Sequence, residues 1–248
     1  MYGVRLFLPV KITDKQWAEK LLEGSVFMRS LSEFGAWKIG TAKRAKEMNN
    51  NFRGDILEGI MRSVDPKIGD DFFNSFDSEV RKHMMGAFYI DENIQYMKMY
   101  CLTHNLNTKE FENPDKRLRE FGDTAVIISN PNEFLRRIIQ ALVDKFGDSV
   151  IFDMKEVYYY DLLKDFGDFN IFCKAKQYEW QNELRIAIGL LDPSESIIDH
   201  DGQVRKLLVQ DLTPLTLEFG SIRDIAVSIP VEDLIDLRLP VEIEVPAV

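Results

Sequence analysis

Hydrophobic and polar positions along this chain follow two periods, and they do so in separate stretches. Val4 to Val10 reads as a strand. Thr13 then opens a capping box with Gln16, and Trp17, Leu21 and Leu22 form the apolar stripe of a short helix. Gly24 stands just past its last turn, where a glycine ends a helix readily. Ser25 to Met28 is a brief strand, and Leu31 to Trp37 a turn or short helix. Polar residues 41–51, ending in three asparagines, read as a surface loop or a frayed helix. Ile56 to Val64 fits either strand or helix, whereas Phe72, Phe73, Phe76 and Val80 have helical spacing.

Gln95 to Thr103 alternates as a strand, and Ala125 to Ser129 as a buried one. The clearest helix follows. Leu135, Ile138, Ile139, Leu142, Val143 and Phe146 repeat at helical spacing, and Gly147 closes the run. The spacing predicts that Leu135, Ile138, Leu142 and Phe146 pack on a sheet. Further strands are predicted at Val150 to Phe152, Val157 to Tyr160, Glu183 to Gly189, Leu207 to Val209, Ile225 to Ile229 and Val241 to Val245. Strands dominate both ends without a regular strand–helix–strand rhythm, and no repeat or proline-rich linker divides them. The expectation is a single compact α+β domain over residues 1–248, with a mixed or antiparallel sheet and helices inserted between residues 65 and 147.

Charge narrows the function classes. A net charge of -10 opposes a sequence-independent grip on nucleic acid, which needs a basic face. The short cluster Lys38, Lys43, Arg44 and Lys46 reads as a solvated helix face. Cys101 and Cys173 are isolated within apolar stretches, and His83, His104 and His200 are scattered, so neither a metal nor a disulfide is expected. The apolar run before Pro9 is too short for a signal sequence, and no run approaches the roughly 18 residues of a membrane span. The expected location is the cytoplasm.

No phosphate-binding G-x-x-x-x-G-K-[ST] loop, G-x-G-x-x-G, G-x-S-x-G or H-E-x-x-H occurs. What stands out is polar residues set into strands. Arg5 lies in the opening strand. Ser30 ends the run Gly24-Ser25-Val26-Phe27-Met28-Arg29-Ser30, and Glu183 opens an apolar strand after Lys174, Tyr178, Trp180 and Gln181. The pattern K-x3-Y-x-W-Q-x-E-x-R-I, with the earlier G-x-[VIL]-F-x3-L-x-x-F and R-G-D-x-x-E-G, resembles a family of uncharacterised bacterial and phage proteins. The order of parts also resembles the ADP-ribosyltransferase superfamily, in which Gln181-Asn182-Glu183 would be the Q-x-E form of its motif; no S-T-S run accompanies it.

The second resemblance implies that Arg5 holds a pyrophosphate of NAD, Ser30 braces the nicotinamide ribose and Glu183 stabilises the oxocarbenium-like centre as nicotinamide departs. Each residue also has a plainer reading. Arg5 is then a surface residue on an edge strand, Ser30 a cap, and Glu183, two residues from Arg185 on one strand face, half of an ion pair. Asp55 and Glu58 read as a turn or as paired carboxylates. At least one of Tyr158, Tyr159 and Tyr160 should be core and one exposed, because they alternate faces. Two functions follow. One is NAD-dependent ADP-ribosyl transfer to a protein target, or NAD cleavage. The other is a non-catalytic phage or mobile-element protein whose acidic surface suits a basic host defence or regulatory protein.

Overall fold

A computed structural model describes residues 8–33, 62–64, 87–89, 92–104, 114–161, 164–165, 167–198 and 204–236. The fold is α+β, built on a large antiparallel sheet. In chain order the first elements are β1 (Val10–Thr13), α1 (Lys15–Leu22), β2 (Ser25–Ser30), β3 (Arg62–Val64), β4 (Ala87–Tyr89), β5 (Lys98–Thr103), β6 (Thr124–Ile128) and α2 (Pro131–Phe146). Then come β7 (Val150–Glu156), β8 (Tyr158–Tyr160), β9 (Gly167–Asp168), β10 (Cys173–Ala175) and β11 (Glu183–Ile198). The last are β12 (Val204–Leu208), β13 (Leu215–Glu218), β14 (Ala226–Pro230) and α3 (Val231–Ile235).

The main sheet runs β12-β11-β5-β1-β6-β14, and β5 is its branch point. One edge of β5 pairs with β11 along its length. The other edge is shared: β1 meets it at Val10 and Thr103, while β2 meets it at Arg29–Met99 and Ser30–Lys98. The β2 branch continues into β13, and β7 lies on the far edge of β11. Tyr100, Leu102, Leu184, Ile186 and Ile188 share one face with Val126 and Ile128, and α1 and α2 close the main core over it. Val10, Ile12, Ala125 and Ile127 lie on the opposite face, in a smaller core with α3.

Helix α1 starts later than the capping box implies. Thr13 is drawn into the β1 ladder opposite Thr124, and Asp14 takes the N-cap position without a side-chain cap. The first helical N–H, from Lys15, donates to Asp123 Oδ1 at 3.0 Å instead. The buried face is Ala18, Leu21 and Leu22, while Trp17 is half exposed beside Phe27. Gly24 ends the helix at φ +87°, and a Cβ there would lie 1.8 Å from the Gly220 carbonyl oxygen. Two backbones meet at that point, and only glycine admits both the angle and the approach.

Helix α2 spans the predicted segment. Asn130 caps it by accepting from the Glu133 N–H at 3.1 Å, Pro131 begins it and Gly147 ends it. Ile138 and Leu142 are buried as expected. Leu135 and Phe146 are only half-buried, and Phe134 takes the third buried place, edge-on to Phe219 at 5.7 Å. Strand β5 begins at Lys98, later than the alternation indicates, because residues 92–96 form a 3-10 turn. The predictions at Val4–Phe7, Thr41–Asn51, Phe72–Val80 and Val241–Val245 lie outside the described residues.

Candidate functional site

Glu183 opens β11 on the face that also carries Arg185 and Ala187, and the segment from Asn170 to Gln181 folds across it. Lys174 Nζ contacts Glu183 Oε2 at 2.8 Å and Arg185 Nε contacts Oε1 at 2.6 Å, so both carboxylate oxygens are occupied. Lys174 also donates to Gln181 Oε1 at 2.8 Å, and Arg185 donates to the Ile171 carbonyl. The Glu183 N–H donates to the Tyr159 hydroxyl at 2.8 Å. Arg185 is fully buried, and Lys174, Gln181 and Glu183 nearly so.

Burial alone would raise the Glu183 pKa. The Arg185 and Lys174 charges outweigh it and hold the carboxyl well below the usual range. Burial pushes the Tyr159 phenol up, and the Glu183 charge adds to that shift. Glu183 is therefore an ionised, enclosed anion between two cations.

This geometry accounts for the spacing of the K-x3-Y-x-W-Q-x-E-x-R motif. Lys174 lies on β10 and over the Tyr178 ring at 5.2 Å; the 3-10 turn Lys176–Gln181 then brings Gln181 back to the same ammonium. Asn182 is the one non-glycine residue at positive φ (41°) among those described, and it turns the chain into β11. Trp180 stacks on Phe121 at 5.8 Å with the Arg117 guanidinium 4.4 Å from its ring. The motif residues thus fasten the 170–181 segment to the sheet.

Ser30 occupies a different place. It lies directly opposite Lys98, and Glu183 lies directly opposite Thr103. Positions 98 and 103 of β5 are an odd number apart, so Ser30 and Glu183 lie on opposite faces of the sheet. They are also separated by roughly 17 Å along the strand, at about 3.4 Å per residue. Ser30 is fully buried; its Oγ accepts from Lys98 Nζ at 2.8 Å and donates to the Leu212 carbonyl at 2.8 Å. Lys98 also donates to the Asp211 carbonyl at 2.5 Å, and burial lowers its pKa.

The structure therefore does not bring Ser30 and Glu183 together, and Arg5 lies outside the described residues, as do Arg53, Gly54, Asp55, Glu58 and the Lys38–Lys46 cluster. Of the three tyrosines, Tyr160 is core and Tyr158 is 60% exposed. Lys98 is a buried polar residue that the motifs do not include, and Tyr159, between a core and an exposed tyrosine, supports the Glu183 N–H. Lys98 had a signal, because it shares a strand face with Tyr100 and Leu102, where a lysine is rarely buried without a purpose.

Near Asn182, a cavity of about 30 Å³ is lined by Val10, Thr103, His104, Asp115 and Leu118 among others, room for about one water. His104 there is partly buried, which lowers its pKa, while Glu156, 3.8 Å from its Nε2, opposes the shift. A larger open groove of about 720 Å³ lies between α2 and the end of β13, and its lining includes none of Ser30, Lys98 or Glu183. Its Arg137 is engaged by Glu133, Asp224 and the Ser221 carbonyl. Among the described residues no cluster of His, Cys, Asp and Glu could hold a metal ion, Cys101 and Cys173 form no disulfide, and no helix is long and apolar enough to cross a membrane.

Comparison with family models, with curated proteins and with solved structures gives no match for this chain.

Proposed function

We propose that this chain works by binding rather than by catalysis, as an α+β protein that presents an acidic surface to a basic protein partner. The observation that carries the reading is the register of β5, which sets Ser30 and Glu183 on opposite faces of the sheet. The state of the Glu183 carboxylate supports it. A group that stabilises a cationic ribose must reach it, and this one is enclosed, with both oxygens held by cations of the chain itself. Net charge of -10 gives the molecule long-range attraction for basic surfaces.

NAD-dependent ADP-ribosyl transfer is the second reading, and two observations favour it: Glu183 stays ionised, as that chemistry requires, and the Gln181-Asn182-Glu183 sequence has the Q-x-E form. Incubation with NAD separates the two. On the binding reading the wild-type protein releases nicotinamide no faster than buffer, with or without candidate target proteins. Release that Glu183→Gln lowers by about 10²-fold or more would establish the enzymatic reading instead.

A further inference from the structure

We infer that the outer edge of β7 is an interface with a second copy of this chain, paired antiparallel about Met154. The inference is independent of the functional reading above. β7 lies on the far edge of β11, and among the described residues it pairs with no other strand. An open edge of seven residues is a template for another strand.

The ladder with β11 fixes which groups that edge offers. The Val157 N–H donates to the Glu183 carbonyl at 2.9 Å and the Leu191 N–H to the Ser149 carbonyl at 2.9 Å. In an antiparallel ladder, backbone groups alternate in direction. Ile151, Asp153 and Lys155 therefore turn their N–H and C=O groups toward β11, and Phe152, Met154 and Glu156 turn theirs outward. Two copies can pair only with outward residues facing outward residues. That leaves a few registers, two steps apart.

Side-chain charge selects among them. Lys155 is exposed and Asp153 half-buried on one face, with Lys155 Nζ 2.5 Å from Asp153 Oδ2. With Met154 opposite its own copy, each Asp153 faces the other chain's Lys155, and two ion pairs form across a two-fold axis. In the neighbouring register that centres on Asp153, two aspartates face each other, which disfavours it. An interface with one patch on both subunits needs self-complementary charge of this kind.

Apolar surface beside the edge agrees. Val150, Phe152 and Met154 are partly buried under α2. One flank of α2, with Ala141, Asp144 and Lys145, lines the groove against β13. Ile139 and Val143, one helical turn apart, lie on the other flank and are 40% and 50% exposed. Continuing the sheet through β7 brings this stripe toward its copy and removes both residues from water.

Size-exclusion chromatography with light scattering over a wide concentration range tests the interface on the full chain. The wild type should approach twice its 28.8 kDa mass as concentration rises. Lys155→Glu sets Asp153 against Glu at both ends of the strand and should yield monomer with unchanged circular dichroism. Adding Asp153→Lys to it inverts both pairs and should restore the dimer. Val143→Asp, on the helix flank, should dissociate it independently. A wild type that stays monomeric, or a Lys155→Glu variant that dimerises as well as wild type, overturns the inference.

Discussion

At the scale of single residues, two buried polar sites differ in what holds them. Glu183 neutralises one of two buried cations, whereas Ser30 supplies a neutral acceptor to the ammonium of Lys98. Their responses to perturbation should differ accordingly. The folded-state pKa of Glu183 lies below its ordinary value of 4.5, so its contribution to stability is fully present above that value. It is lost as pH falls through the lower folded value. Urea midpoints of the wild type should therefore decline on acidification below about pH 4.5, and the decline should be shallower in Glu183→Gln. Parallel declines would assign the acid sensitivity to other carboxylates. Ser30→Ala leaves a buried ammonium without one acceptor and should cost about 1–3 kcal/mol in equilibrium unfolding. Lys98→Met combined with Ser30→Ala should cost less than the two single changes summed, a coupling measured by a double-mutant cycle.

Among the elements, α2 was the most legible in sequence, because its start, its period and its stop agree on one segment. Its depth of burial was less so. The stripe Ile138 and Leu142 continues to Phe134, which turns inward because Phe219 from the β13 turn offers it an edge-on partner distant in sequence. Leu142→Ala should cost roughly 2–5 kcal/mol and Val143→Ala under about 1 kcal/mol, read from urea melts of both variants. Equal costs would mean that the helix sits rotated. The β13 segment, Leu215 to Glu218, carries little periodic signal because it has four residues flanked by polar turns, and its identity comes from pairing with β2. The Lys174–Arg185 motif was visible as a pattern, yet its meaning depended on two contacts that local sequence does not contain. One is the return of Gln181 to Lys174, and the other is the support of the Glu183 N–H by Tyr159.

For the molecule as a whole, the branching of the sheet at β5 decides how the polar residues are distributed. β1 and β2 run in the same direction along one edge of β5, with α1 carrying the chain back between them, and β2 continues the sheet into β13. Ser30 and Lys98 thereby pin the Asp211–Leu212 turn on one side of the sheet, and Glu183 with its cations pins the 170–181 segment on the other. Each is a fastening between a strand and a crossing segment, and the two sites share no cleft. Glu183 is a fastening of this kind. The most direct test of that role is the unfolding free energy of Glu183→Gln against wild type at neutral pH. Removing one member of a buried ion cluster leaves uncompensated charge, so the expected loss is about 3–5 kcal/mol. A carboxylate held for chemistry is commonly a site where stability is sacrificed, and its neutralisation leaves stability unchanged or raises it. Either of those results for Glu183→Gln would mean that Glu183 does not fasten the 170–181 segment to the sheet.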